Sequence, residues 1–177
     1  PHSGEVLALT GGRGEKKQSK TLNRASNVLR QPGSTFKVIS SFAPAIDLYG
    51  ATLASTYYDS EYTVGKKTFK NWYSGGYSLN IVAVRCLMET VKPERGYQYA
   101  ESLGITSLVK DDENAALALG GLTRGVSNLE LTQAYGVIAN GGKLQKAKFF
   151  SKIIDQNGKV LIDTTEDEAT QVMKEST

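Results

Sequence analysis

The sequence predicts an α+β domain in which an early strand and a late hairpin join one sheet while the central helices form a second lobe. Three observations carry this. An apolar run near the start and two β-rich runs about Asn157-Gly158 near the end bracket a middle whose apolar residues recur at helical spacing. The 177 residues, 40% hydrophobic and 22% charged, suffice for one globular domain with a sizeable core. No internal repeat shows, so sheet-forming segments are expected at about residues 1–30 and 147–163, and the helical lobe at about 34–142.

Taken in order, GEVLALTGGR (4–13) is apolar, closes on two glycines and reads as a strand, and EKKQSK after it reads as a polar loop. The next segment places Phe36, Ile39, Ser40, Ala43, Ile46 and Asp47 on recurring turns, with Gly50 set to cap the helix. Pro44 inside it predicts a kink or a break. Residues 51–77 hold tyrosines and glycines without a period, a loop with a short hairpin around Gly65. NIVAVRCLMETV (80–91) sets Ile81, Val84, Met88 and Val91 on one helical stripe, and PERGYQYAESLGI starts a second helix at Pro93 and ends it at Gly104. A Gly120-Gly121 turn then precedes a capping box, Ser127 with Glu130, leading a helix that stops at Asn140-Gly141-Gly142. FFSKIIDQNGKVLID (149–163) is a hairpin about Asn157-Gly158.

Composition removes several function classes. The net charge is +3, but no Lys/Arg run is interleaved with aromatics, so no nucleic-acid partner is expected. The one cysteine, Cys86, reads as a small buried hydrophobe. With His2 as the only histidine, neither a zinc cluster nor a Ser-His-Asp triad can be assembled from this chain. A serine nucleophile here needs another base. No apolar run reaches the roughly 18 residues of a membrane span, and the first residues lack a signal peptide's charged and apolar regions.

RQPGSTFK (30–37) offers such a base. Ser34 and Lys37, three residues apart at the start of a helix, share one face, the spacing at which a lysine amine can take a serine's proton. A free lysine, with a pKa of about 10.4, is a poor base at neutral pH, and lowering it to about 7 or 8 costs roughly 4 kcal/mol. The apolar run around Lys37 supplies part of that desolvation, and the free N–H groups of a helix start can face a developing oxyanion. The competing reading is an N-cap serine and a solvated lysine. A second Ser-x-x-Lys pair, Ser107 and Lys110, is followed by DDEN with no apolar stripe, and reads as surface. YSLN supplies the only Ser-x-Asn, Ser78 and Asn80, at the start of the helix at 80–91; by itself it reads as a helix cap, Asn80 or Ser78 holding the first turn.

Ser-x-x-K with a later Ser-x-Asn is a pattern of penicillin-binding proteins and class A β-lactamases. Around these motifs the chain resembles the transpeptidase domain of a bifunctional, class A penicillin-binding protein. The matching text is PHSGEVLALTGGR, NRASNVLRQPGSTFK, SLNIVAVR, PERGYQYAESLGI, LALGGLTRGVSNLELTQAYGVIANGG and KIIDQNGKVL, spanning residue 1 to about 163. The resemblance implies the penicillin-binding protein/β-lactamase-like fold and a serine D,D-transpeptidase of bacterial peptidoglycan. Ser34 is then the nucleophile that attacks the penultimate D-alanine carbonyl of a stem peptide, and Lys37 the base that activates it. Ser78 relays a proton to the leaving amine, and Asn80 hydrogen-bonds the substrate backbone near Lys37. The partners implied are a D-Ala-D-Ala stem peptide and β-lactam antibiotics, with no metal or organic cofactor. The implied location is the extracytoplasmic face of the plasma membrane, with an anchor and a glycosyltransferase domain outside this chain.

Two departures stand out. The family's Lys-Ser/Thr-Gly strand is missing: KTL (20–22) and KTF (67–69) lack the glycine, and the motif is expected beyond Thr177. Losing one oxyanion donor typically costs about 10²- to 10³-fold in rate, so this isolated chain is expected to be weakly active or inactive. Similar domains also have a further stretch between Gly76 and Tyr77, where YSGGYSLN runs straight through, either as a natural shortening or as residues left out of the sequence; the second is expected. The rival functions are a serine β-lactamase or D,D-carboxypeptidase using the same Ser34 and Lys37, and a non-catalytic fragment that binds peptidoglycan or β-lactam. No segment resembles the deacylating-glutamate loop of class A β-lactamases.

Overall fold

The structure, a computed structural model, describes residues 2–15, 17–70, 79–165 and 168–177. Strand β1 (Leu29–Arg30) leads into a 3-10 turn at Gly33–Thr35, and one helical run continues through a π-helical stretch, Val38–Phe42, into α1 (Ala43–Tyr49). Pro44 does not break this run. It sits in the first turn of α1, where its missing N–H matters least, and the π stretch carries the ladder up to it: Ala43 N–H reaches back to Val38 O. Gly50, with φ 69°, closes α1.

β2 (Tyr62–Val64) and β3 (Lys67–Phe69) form the short hairpin, turning at Gly65 with φ 58°. Arg85 ties it to the helices. Its guanidinium lies 4.3 Å from the centre of the Tyr62 ring and donates to Glu89 Oε1 at 2.8 Å and Ser60 Oγ at 3.2 Å. α2 (Asn80–Arg85) passes into a second π stretch, Cys86–Val91, and then α3 (Pro93–Ser102). The wider π turn rotates the apolar stripe: Leu87 joins Ile81, Val84 and Val91 in the core, while Met88 is only half-buried. The two π stretches pack against each other, and the buried Cys86 thiol donates to Ser41 O at 3.4 Å.

Two further 3-10 segments, Lys110–Asp112 and Ala115–Leu119, precede β4 (Val126–Ser127) and α4 (Asn128–Ala139). The capping box is formed as the sequence predicts: Ser127 Oγ accepts from Glu130 N, and Glu130 Oε2 accepts from Ser127 N. β5 (Lys143–Leu144), β6 (Lys152–Ile154), β7 (Val160–Asp163) and β8 (Thr170–Gln171) complete the order. Among the described residues the strands pair two by two, all antiparallel: β1 with β4, β2 with β3, β5 with β8, β6 with β7. The core lies in the helical lobe, on Phe36, Ile39, Leu87, Leu103, Ile105 and Leu117. Beyond β8 the chain closes over α1, where Lys174 N–H and the Thr177 hydroxyl donate to buried Asp47 Oδ1 at 3.0 and 2.9 Å.

The early segment departs from expectation. Residues 4–13 do not share one sheet with the late hairpin. They form no strand of their own and are joined to the segment before it by one parallel bridge, Glu5 opposite Lys148. A strand holds its ladder only where neighbours pair its edges and cover its faces. Here Leu7 is 79% exposed, and residues 4–10 and α4 line an open cleft of about 660 Å³. β6 and β7 pair only with each other and leave both faces exposed.

Two glycines should respond in opposite directions. A Cβ at Gly96 would stand 2.6 Å from Ser40 O and 2.6 Å from Leu87 Cδ1, so Gly96→Ala should destabilise by about 1–3 kcal/mol. Gly136, within α4, has open space around a Cβ, so Gly136→Ala should stabilise by about 0.5–1 kcal/mol. Urea unfolding of the two variants, with equal m-values, checks both signs.

Candidate active site

The site is built where β1 ends. Leu29 pairs with Ser127 and Arg30 with Val126; Pro32, lacking an N–H, ends the ladder there. Two glycines of the segment that leads into β4 bring the main chains together. A Cβ on Gly125 (φ 86°) would stand 2.5 Å from Arg30 O, and one on Gly120 (φ 66°) would stand 2.6 Å from Gly33 N and overlap Gly33 O. Both positions therefore need glycine for handedness and for space. The loop between the last 3-10 segment and β4 is pinned by buried Asp112, which accepts from Thr123 N at 2.6 Å, from the Thr123 hydroxyl at 2.7 Å and from Val109 N at 2.9 Å.

Ser34 is the middle residue of the 3-10 turn and is exposed. It is not an N-cap. Pro32 holds that position, and the neighbouring Thr35 hydroxyl donates to Pro32 O at 2.7 Å. Lys37, one helical turn on, is buried at 3% exposure, and its ammonium donates to Asn80 Oδ1 at 2.7 Å. Burial pushes the Lys37 pKa below its ordinary value, because the charged form loses water on entering the interior. Asn80, the first residue of α2, is exposed; its amide oxygen turns to Lys37. Two motifs far apart in sequence thus meet, Lys37 of the first with Asn80 of the second. Ser78 and the Gly76-Tyr77 junction lie outside the described residues.

The decoy pair separates as the sequence predicts. Ser107 donates to Gly125 O at 3.0 Å, while Lys110 pairs with Glu113 at 2.8 Å on an exposed turn. Of the KTF and KTL stretches, the first falls on β3, where the Lys67 amine lies 5.1 Å from the Phe69 ring centre, and the second falls in the loop before β1.

Other residues at the site were not singled out from sequence. The Gln31 carboxamide pairs with both the N–H and the carbonyl of Leu122. The Tyr135 hydroxyl, on α4, donates to Thr35 O at 2.6 Å. The Ser40 hydroxyl shares its one hydrogen between Phe36 O at 3.0 Å and Leu117 O at 3.2 Å, joining the π stretch after Ser34 to the 3-10 segment Ala115–Leu119. Nothing in local pattern marks a glutamine or tyrosine for such tasks. α4 is fixed in turn by Glu130, whose carboxylate accepts from Ser127 N and Oγ (both 2.9 Å) and from Thr106 N and Oγ1 (3.0 and 2.8 Å).

Against known proteins, the whole chain, residues 1–177, matches the family model of the penicillin binding protein transpeptidase domain. The chain belongs to that family. Penicillin-binding protein 1A of Clostridium botulinum (strain Langeland) is 35% identical over 187 residues, covering 92% of this chain and 22% of that protein. Penicillin-binding protein 1F of Bacillus subtilis (strain 168) is 38% identical over 176 residues, covering 93% of this chain and 24% of that protein. The chain therefore spans about a quarter of the length of these relatives. The penicillin-binding protein PonA1 from Mycobacterium tuberculosis superposes with a TM-score of 0.80 at 23% identity, over 99% of this chain and 49% of that one. A second PonA1 structure, in complex with penicillin V, gives 0.74 at 22% identity over 90% of this chain and 47% of that one. The α+β fold is that of the family.

Glu130 generates a pH expectation. Burial raises its carboxyl pKa, but the bonds from Ser127 and Thr106 outweigh burial and hold it below the ordinary value. A carboxylate with a depressed folded pKa contributes stability above its unfolded pKa of about 4.3, and that contribution is lost as pH falls through the folded value. Glu130→Gln should lower stability at pH 7 by about 1–3 kcal/mol and flatten the acid limb of stability against pH, read by thermal unfolding from pH 3 to 7.

Proposed function

We propose that this domain is a serine D,D-transpeptidase that cross-links peptidoglycan stem peptides through an acyl-enzyme on Ser34, and that β-lactams acylate the same oxygen. The observation that carries the reading is the buried Lys37 amine, one turn from an exposed serine and bonded to Asn80 of the second motif. Desolvation raises the share of neutral amine at a given pH, which suits Lys37 to take the Ser34 proton. Ser34 Oγ attacks the penultimate D-alanine carbonyl. The tetrahedral intermediate collapses, and the terminal D-alanine leaves with a proton relayed through Ser78. Asn80 binds the substrate backbone. An amine of a neighbouring stem peptide then attacks the ester, forms the cross-link and frees Ser34. A β-lactam enters the first half of this cycle because its strained amide imitates the D-Ala-D-Ala bond.

The substrate places the domain on the extracytoplasmic side of the plasma membrane, carried there by parts of a longer protein of the class A type. Among the described residues no helix is long and apolar enough to cross a membrane.

Intact-protein mass spectrometry after incubation with a labelled penicillin tests the reading. One drug-sized adduct is expected on the chain and none on Ser34→Ala. Lys37→Met should slow acylation by at least about 10²-fold. The rate should rise with pH through a lysine pKa below the ordinary value of about 10.4. Between those two values the unfolded chain binds more protons, so stability rises with pH, and Lys37→Met should lose that slope and be at least as stable as the unsubstituted chain at neutral pH. An adduct of equal yield on Ser34→Ala overturns the assignment. If the chain takes no label, silence in a longer protein that includes the Lys-Ser/Thr-Gly strand sinks the transpeptidase reading.

A further inference from the structure

Ser34 is held from both sides by groups that belong to its neighbours. On the near side the main-chain ladder of β1 and β4 stops at Arg30, because Pro32 has no N–H to extend it. The Gln31 side chain takes over that task. Its carboxamide Nε2 donates to Leu122 O at 2.5 Å, and its Oε1 accepts from Leu122 N at 2.7 Å. A planar amide thereby meets a peptide's N–H and carbonyl as the next residue of a strand would. On the far side Tyr135 donates to Thr35 O at 2.6 Å. Between the two ties, Gly120 lies against the backbone of Gly33.

We propose that Gln31 is a positioning residue for Ser34, its carboxamide splinting the Pro32-Gly33-Ser34 turn to the Leu122 main chain in place of the ladder that the proline ends. The inference rests on the reading of Ser34 as nucleophile. The splint needs one donor and one acceptor in a single plane at glutamine's length. Alanine supplies neither. An ionised glutamate offers two acceptors and sets a carboxylate against Leu122 O, whereas a protonated glutamate again has one O–H donor and one acceptor. A misplacement on the order of 1 Å at a reacting atom can cost about 10²-fold, so loosening this turn should appear in the chemical step rather than in binding.

The test uses the chain itself with Gln31→Ala and Gln31→Glu. Hydrogen exchange at residues 33–36 is read by mass spectrometry, together with the penicillin acylation rate at saturation and the penicillin dissociation constant. Both variants should unfold cooperatively. Each should exchange about tenfold faster at residues 33–36 and lose about tenfold or more in the saturated acylation rate, with the dissociation constant changed less than about twofold. Relative to the unsubstituted chain at each pH, Gln31→Glu should recover as pH falls toward the glutamate pKa of about 4.3, and Gln31→Ala should not. Unchanged exchange at residues 33–36 in Gln31→Ala overturns the inference. So does faster exchange with an unchanged acylation rate. If the unsubstituted chain takes no label, the reading of Ser34 fails for this chain on its own account, and the exchange arm, with the pH-dependent recovery of Gln31→Glu read in it, still decides whether Gln31 is the splint.

Discussion

Two main chains meet at Gly33 and Gly120 closer than a side chain at Gly120 would permit. The turn that carries Ser34 has its position because that contact is possible. Gly125 repeats the close approach against Arg30, next to where β1 and β4 hydrogen-bond. The helix that follows inherits its direction from this turn, and Lys37 enters the interior one turn later. Asp112, Glu130 and the capping box hold the glycine-rich segment and α4 so that they can serve as a fixed wall. The position of Ser34 therefore rests on backbone-to-backbone packing, which a side chain at either glycine would push apart.

The burial of Lys37 works against the fold while it suits the site. An amine removed from water destabilises the folded chain unless it deprotonates or finds an acceptor, and Asn80 Oδ1 supplies one acceptor. The apolar surroundings that impose this come from the same core that the two π stretches build. Those stretches have a common logic. Each inserts a wider turn where a regular helix would misdirect its side chains: the first just before Pro44, the second where Leu87 rather than Met88 must face inward.

Much of this was legible in residue pattern. Pro93, Gly104, Ser127 with Glu130, and Asn157-Gly158 mark boundaries through local rules of φ, capping and turn chemistry, and the structure keeps each of them. Ser34, Lys37 and Asn80 were legible because their spacing is a family pattern, and the Lys37–Asn80 contact follows it. What pattern could not carry is long-range. Whether GEVLALTGGR forms a ladder depends on neighbouring strands, so an apolar run alone misled. Met88 looked inward at a regular helical pitch, and a π turn is invisible to a period of 3.6. Gln31 and Tyr135 act on main-chain atoms about 90 and 100 residues away, and no local motif announces that.

Cys86 gives the core a reporter of its own. The thiol is buried against the first π stretch, bonded to Ser41 O, and burial raises its pKa. Thiolate, the reactive form, is scarce while the two stretches stay packed. A thiol reagent in solution meets it only when those stretches part. As Cys86 is the chain's one cysteine, its rate of modification is a clock for the opening of the lobe that holds Lys37, and it needs no introduced label.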